Sequence, residues 1–443
     1  MKIKLSDHFT YKKLFRFTLP TIIMMLFTSI YSVVDGIFVS NFVGKNALSS
    51  INIIYPLAMV VAAFGFMLGT GGSAVVAKTL GEGDRKKANE YFSMIVLSVF
   101  LLGLLLSIVC VIFIRPLAYF LGSNDVLIND CITYGTIILL GTFAFMLQTT
   151  FHAFFITAEK PKIGLFLTIF AGVSNMLFDY ILIYKLNLGI KGAAYATVLG
   201  YFIGGIIPLF YFASKNSSLL RFTKPKFYPK ILLHSCTNGS SEMVSNISMS
   251  IVTFLYNIQM MKYVGESGVA AITIIMYVNF VFIAILIGFS IGSAPIIGFN
   301  YGAKNHDELK NMFKKCVSIV VIVSIIMGGI AELLAVPTVR IFIREDGELF
   351  NMTLHGFRIF SLAFFICGLN IWGSSFFTAL CNGKLSAIIS FLRALVLQSG
   401  FIVILPMFFG VEGVWWALFL SEIVTLLVTI MFIVLNKNKY KYA

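Results

Sequence analysis

The chain has 443 residues, 59% hydrophobic and only 12% charged, with a formal net charge of +14. Soluble domains carry about twice that charged fraction, so the composition leaves no water-facing surface and excludes a soluble fold. The positive charge is not the footprint of a nucleic-acid binder either, because the cations are sorted along the chain rather than gathered on one patch.

Residues 1–16, including KLSDHFTYKKLFRF, are polar and basic and read as a cytoplasmic tail, either solvated or an amphipathic interfacial helix. No small-residue cleavage site follows, so no cleavable signal peptide is expected. Twelve apolar runs of membrane-spanning length then follow, at about 17–38, 51–74, 93–114, 132–156, 163–184, 192–213, 232–261, 269–298, 313–336, 352–379, 386–409 and 413–435. They are continuously apolar, without the alternation that a spanning barrel requires. The expected fold is an all-α polytopic membrane protein. Its units are an N-lobe (17–214, TM1–TM6), a cytoplasmic basic linker (215–231), a C-lobe (232–436, TM7–TM12) and a short cytoplasmic tail (437–443). The linker holds Lys215, Arg221, Lys224, Lys226 and Lys230 with two prolines, and reads as a crossover with an amphipathic piece on the lipid surface.

Lys and Arg fall mainly on one set of loops, while the alternate set holds only Lys45, Arg115, Lys185, Lys191, Lys262, Arg340 and Arg344. This positive-inside bias places both termini and the linker in the cytoplasm. The six cysteines are dispersed, without metal spacing, and read as small apolar fillers.

The two halves are one unit duplicated. Residues 42–92 lie over 263–313 without a gap, pairing Gly44 with Gly265, Gly71 with Gly292, Gly81 with Gly302 and Phe92 with Phe313. LGIKGAAYA (188–196) matches FGVEGVWWA (409–417) at nearly the same offset. Six spans per half make parallel repeats, an arrangement that in membranes points to a transporter with a site between the halves. The loop GEGDRKKANE (81–90) lacks the Gly-Lys-Ser/Thr ending of a phosphate loop, so any pumping must draw on an ion gradient.

An ionisable group in a span costs about 2.5–3.5 kcal/mol on insertion scales, so each needs a reason. Asp35 in span 1, Asn175 and Asp179 in span 5 and Thr197 in span 6 reach similar depth, and Asn175 and Asp179 share a helix face. Such a set can exchange a proton or coordinate Na⁺; ending helices at interfacial water is the alternative. The repeat favours a specialised site, because Asp35 falls opposite Tyr256, Asn175 opposite Leu397 or Val396, Asp179 opposite Phe401 or Gly400, and Thr197 opposite Leu418. Glu242, Arg393 and Glu422 are candidates for cleft or interlobe contacts, with Arg393 either snorkelling or pairing with a carboxylate. Gln148 and Asn370 coincide across the repeat, which favours helix–helix hydrogen bonding. His152 reads as an interfacial residue near the inner face. Pro20 lies on the helix that carries Asp35 and is a candidate bend.

These pieces resemble the MATE (multidrug and toxic compound extrusion) transporters along the whole chain. The carriers are FTLPTIIMMLFTSIYSVVDGIFV in span 1, VSNMLFDYILIYKLNLGIKGAAYATV over spans 5 and 6, SSEMVSNIS in span 7 and RALVLQSGFIVILPMFFGVEGVWWALFLSEI over spans 11 and 12. The resemblance implies two six-helix lobes around a central cleft in a bacterial inner membrane, exporting amphipathic, often cationic, small organic compounds against an H⁺ or Na⁺ gradient. It places the cation site on Asp35, Asn175, Asp179 and Thr197, with a polar residue of helix 4 to be added, for which Tyr134 and Thr149 are the candidates. A second-lobe ion site used by another branch is not implied, because Glu242 lies almost two turns too early and Asn370 stands near the helix 10 position.

The expected function is therefore a cation-coupled antiporter, with H⁺ favoured over Na⁺. No cofactor, no metal beyond Na⁺, no nucleic acid and no obligate protein partner is implied. A lipid-linked oligosaccharide flippase of related fold should show several intramembrane cations, of which only Arg393 is present. A membrane enzyme or receptor should show a reactive cluster such as HxxxH or GxSxG, and the sequence has none.

Overall fold

The computed structural model describes residues 3–443 except 44 and 344–346, and leaves out the side chains of 32–37, 39–41, 45 and 46. The described residues form helices and no strands. The first half runs α1 (Tyr11–Phe42), α2 (Lys45–Gly81), α3 (Arg85–Ile112), the short α4 (Ile114–Phe120), α5 (Ile128–Thr157), α6 (Pro161–Asp179) and α7 (Gly189–Ala213). The second runs α8 (Pro229–Tyr263), α9 (Glu266–Gly302), α10 (His306–Leu333), the short α11 (Ala335–Arg340), α12 (Glu348–Ser361), α13 (Phe364–Ala379), α14 (Gly383–Ser390), α15 (Gln398–Phe409) and α16 (Val411–Tyr440). Two π-helical stretches interrupt this order: Tyr180–Lys185 continues α6, and Phe391–Leu397 joins α14 to α15.

Among the described residues, ten helical stretches are long and apolar enough to cross a bilayer, and α12 with α13, bent by 47°, makes an eleventh. The remaining span, α8, is 35 residues long but carries too many polar groups to read as lipid-facing. Some of those groups are bonded inside the protein, the place where they are tolerated at membrane depth. Asn238 Nδ2 donates to the Thr378 carbonyl at 2.9 Å, and the Ser241 hydroxyl lies 3.4 Å from that of Thr378.

The duplication read from sequence recurs in backbone detail. Left-handed residues end helices at matching places in both halves: Gly83 and Lys304, Glu159 and Cys381, Gly189 and Gly410. The helices after the first two are capped alike. Asp84 accepts from the Lys87 N–H and Asn305 from the Glu308 N–H, each satisfying a donor that the helix itself leaves free.

The halves meet at the end of the bundle that carries the Lys/Arg-rich loops. A Cβ on Gly81 would collide with the Phe299 carbonyl, and one on Gly302 with the Lys78 carbonyl. Phe299 is the repeat counterpart of Lys78, so this is one contact made twice about a local two-fold. Gly71 and Gly239 approach each other's helices as closely, with the Ser235 and Met67 carbonyls in the way of any side chain. Small residues that let backbones touch are what holds helices together where lipid removes the hydrophobic driving force.

Three peripheral segments differ from expectation. The segment before α1 is neither a solvated tail nor an interfacial helix, and α1 itself starts at Tyr11. Leu5 and Phe9 are fully buried. The Leu5 N–H donates to Glu159 Oε1 at 2.8 Å in the first half, while the Phe9 N–H donates to Glu308 Oε1 at 2.9 Å and Asn311 Nδ2 donates to the Phe9 carbonyl at 3.0 Å in the second. The segment is a strap across both lobes at their closed end. Second, the linker holds no amphipathic helix. It is pinned to α3 by Phe222 stacked on Phe92 (5.0 Å) and by Lys226 and Tyr228 on Glu90 (2.9 and 2.6 Å). Third, Tyr440 and Tyr442 are buried, with Tyr442 against Phe313 and Phe376.

Gly81→Ala and Gly302→Ala are each expected to destabilise the detergent-solubilised protein by about 1–3 kcal/mol through overpacking, and the double variant by less than the sum because both act on one interface; thermal unfolding reads this. Glu308→Ala is expected to release the strap, seen as faster amide exchange at residues 5–9 with the transmembrane helices unchanged.

Candidate cation-coupling site

Four helices of the first half enclose a small cavity of about 10 Å³, room for one water-sized or ion-sized occupant. Its wall is Tyr31 of α1, Gln148 of α5, Thr168, Ala171, Gly172 and Asn175 of α6, and Thr197, Gly200 and Tyr201 of α7. Gly200 lets α7 approach, the Asn175 Cβ being in contact with the place where its side chain would stand.

Asn175 is 3% exposed, and among the described residues neither its amide nitrogen nor its amide oxygen has a hydrogen-bond partner. A buried polar group left unmade costs about 1–3 kcal/mol, so two such atoms on one side chain mark a place built for an occupant. One helical turn on, Asp179 is 2% exposed, at the last α-helical position before the π stretch Tyr180–Lys185. Thr197 donates its hydroxyl hydrogen to the Ala193 carbonyl at 3.0 Å, which leaves its oxygen lone pairs for the cavity. Gln148 Oε1 is also buried without a partner among the described residues. Carboxylate, amide and hydroxyl oxygens are hard donors, suited to a proton, a water or Na⁺ and not to a soft metal.

The structure thus brings Asn175 and Thr197 to one cavity, with Asp179 on the Asn175 face of α6. Asp35 lies on α1, and its side chain is outside the described residues. Of the α5 residues, neither Tyr134 nor Thr149 stands on the cavity wall. Tyr134 packs in an apolar cluster with Ile54, Ile114 and Leu139. Thr149 is turned to α2, donating to the Met146 carbonyl at 2.9 Å and touching the Gly65 position. Gln148 is the α5 residue on the cavity wall. Its match with Asn370 was legible in the sequence, but only the packing puts Gln148 on the cavity wall. Tyr31, Thr168 and Tyr201 carried no sequence signal beyond being polar in a span. His152 is not interfacial: it stands inside α5 with Nε2 3.1 Å from the Thr168 hydroxyl. α1 continues as helix through Pro20.

The remaining candidates collect in the second half, and two of them do not line the cleft. Glu422 is 1% exposed and Asn370 fully buried. Glu422 Oε1 accepts from Arg393 Nε at 2.8 Å, and Oε2 accepts from Asn370 Nδ2 at 2.7 Å. Arg393 therefore pairs with a carboxylate rather than snorkelling, and stands on the π stretch with its side chain 19% exposed. Glu242 is half-buried, with no side-chain hydrogen bond or ion pair among the described residues, and within electrostatic reach of Arg393.

Comparison with known proteins agrees with this architecture. The MatE family profile matches residues 20–181 and again 243–404, once in each half. Over 431 residues the chain is 24% identical to the multidrug export protein MepA of Staphylococcus haemolyticus (strain JCSC1435), covering 97% of this chain and 94% of that protein. MepA of Staphylococcus aureus (strain NCTC 8325 / PS 47) is 20% identical over 433 residues, with the same two coverages. Among solved structures, a MATE transporter in complex with MaL6 superposes with a TM-score of 0.92 at 22% identity, covering 98% of each chain. An outward-facing MATE family transporter of the MOP superfamily gives 0.91 at 23%, again covering 98% of each. At these identities the structural likeness carries the fold, twelve transmembrane helices in two lobes, while the family profile covers most of the chain in two copies of one unit. The chain is a multi-pass membrane transporter, not an enzyme, and belongs to the MatE family of multidrug efflux transporters.

Proposed function

We propose that the chain exports amphipathic, often cationic, small organic compounds from the bacterial cytoplasm in exchange for an inward-moving cation, H⁺ in preference to Na⁺, bound in the first half. The observation that supports this most is the pair of unpartnered amide atoms of Asn175 beside the buried Asp179, on a cavity that Thr197 and Gln148 also line. The family and the MepA relatives, named as multidrug export proteins, support the export of drugs. With the basic loops in the cytoplasm of a multi-pass inner-membrane protein, the glycine-mediated closure at that end corresponds to an outward-open state.

In this cycle the cation enters from outside and binds at Asp179, Asn175 and Thr197, with Asp35 of α1 completing the set. Neutralising the carboxylates removes their mutual repulsion and lets α1 repack, with Pro20 as the place where the helix bends. The drug is released outward, the lobes rock about their glycine contacts, and the cation leaves to the cytoplasm. H⁺ is preferred because a carboxylate pair couples to a proton without a complete coordination shell.

Dye efflux in inside-out vesicles, with a pH or a Na⁺ gradient imposed separately, tests the proposal. Transport is expected with the pH gradient, and with neither gradient in Asp179→Asn. An expressed, folded Asp179→Asn that transports at the native rate overturns it. Asn175→Leu is expected to be inactive in the same assay yet more stable by about 1–3 kcal/mol, because it removes an amide whose two polar atoms have no hydrogen-bond partner among the described residues.

A further inference from the structure

The left-handed residues that recur in both halves fix a register between the lobes on either side of the site, at Glu159 and Cys381 and at Gly189 and Gly410. The offset is 222 residues at the first pair and 221 at the second, so Gln148 and Tyr201, which line the first-half cavity, correspond to Asn370 and Glu422, and Arg393 stands opposite Ala171 or Gly172 of the same wall. These three counterparts are the bonded cluster already described, with Glu422 accepting from Arg393 at 2.8 Å and from Asn370 at 2.7 Å. The positions of Asn175 and Asp179 fall at Val396 or Leu397 and at Gly400 or Phe401. Each lobe therefore has one buried polar position between the same helices. In the first the oxygens face an open cavity; in the second a guanidinium fills the place.

We infer that Arg393 is a tethered counter-ion. It occupies in the second lobe the place that a mobile cation takes in the first, and so restricts cation coupling to one site per chain. This rests on the coupling role proposed for the first-half cavity. Three features support it. Glu422 is almost completely buried, so its charge must be matched by something within the protein. Arg393 sits on the π stretch Phe391–Leu397, a distortion of the kind that re-aims side chains at functional positions. Its side chain is 19% exposed, so the spot is not sealed from the surface. The groups facing the pair are Asn370 and Cys367 on α13 and Glu242 on α8. Of these only Glu242 competes for a cation once the guanidinium is gone.

The substitution that tests this is Arg393→Ala, because it removes the guanidinium and leaves a small side chain, as at Ala171 or Gly172 in the first lobe. Cations are counted on the purified full-length protein in two ways: protonated carboxyl bands in infrared difference spectra between low and high pH, and radiolabelled Na⁺ bound per chain. The native protein should show one cation, lost in Asp179→Asn. Arg393→Ala should show two, the second lost again in Arg393→Ala/Glu422→Gln, whereas Arg393→Lys should keep one. A folded Arg393→Ala that still binds one cation overturns the inference. So does a second cation that survives Glu422→Gln and disappears with Glu242→Gln. Should Arg393→Ala not fold, the native background decides: a cation retained in Asp179→Asn and lost on adding Glu422→Gln means that the second lobe takes a cation with Arg393 in place, which overturns it. A cation count indifferent to both Asp179→Asn and Glu422→Gln overturns the first-lobe reading instead, and the gain in Arg393→Ala then decides the role of Arg393 alone.

Discussion

Everything in this molecule follows from the absence of water around its middle. A peptide group with no water to bond must be paired within its own helix, so the chain is helical wherever it is buried in lipid. The same constraint falls on side chains. Glu422 takes a guanidinium and an amide, Asn238 takes a backbone carbonyl, and the serines of α13 and α14 bond one another, Ser374 to Ser386 at 2.9 Å and to Ser390 at 2.8 Å. Against that background an amide with neither atom bonded among the described residues is conspicuous, and Asn175 is the group from which the functional reading starts.

Duplication supplies the mechanical half of the design. A contact that is made twice about a local two-fold needs only one evolved surface, and here it is made of glycine against carbonyl oxygen: Gly81 on Phe299 and Gly302 on Lys78. Such contacts bring backbone against backbone, and Gly288 on Ile22 and Gly292 on Thr18 extend them along α1 and α9. The strap from Leu5 to Phe9 spans the same end, bonded to Glu159 of one lobe and Glu308 of the other. Any motion that separates the lobes there has to stretch or release it.

The chemical half comes from the loss of symmetry. The two polar positions began as one and have diverged. One lobe has an open wall of oxygens around Asn175; the other has its own cation tied to the backbone at Arg393. A mobile ion can report on a gradient and a tethered one cannot, so in the cycle we propose the first lobe couples while the second keeps its charge.

The sequence by itself determined the membrane, the helices, the duplication and the residue types of the first-lobe cluster. These depend on composition, on apolar run length and on a repeat spacing, all of which are local or linear properties. It also named Arg393, Glu422 and Asn370, but as separate oddities. The tertiary structure decided which polar residues share a space: that Gln148 and not Tyr134 or Thr149 faces the cavity, that His152 reaches Thr168 inside the bundle, and that Glu422 is held from two helices at once. It also decided that residues 4–9 fold back as a strap. The physical reason is that helical rotation and interhelical distance set these contacts. On a helix of 3.6 residues per turn, Gln148 and Thr149 differ by one position in the sequence and by about 100° in direction, and only the neighbours packed on either side choose between them.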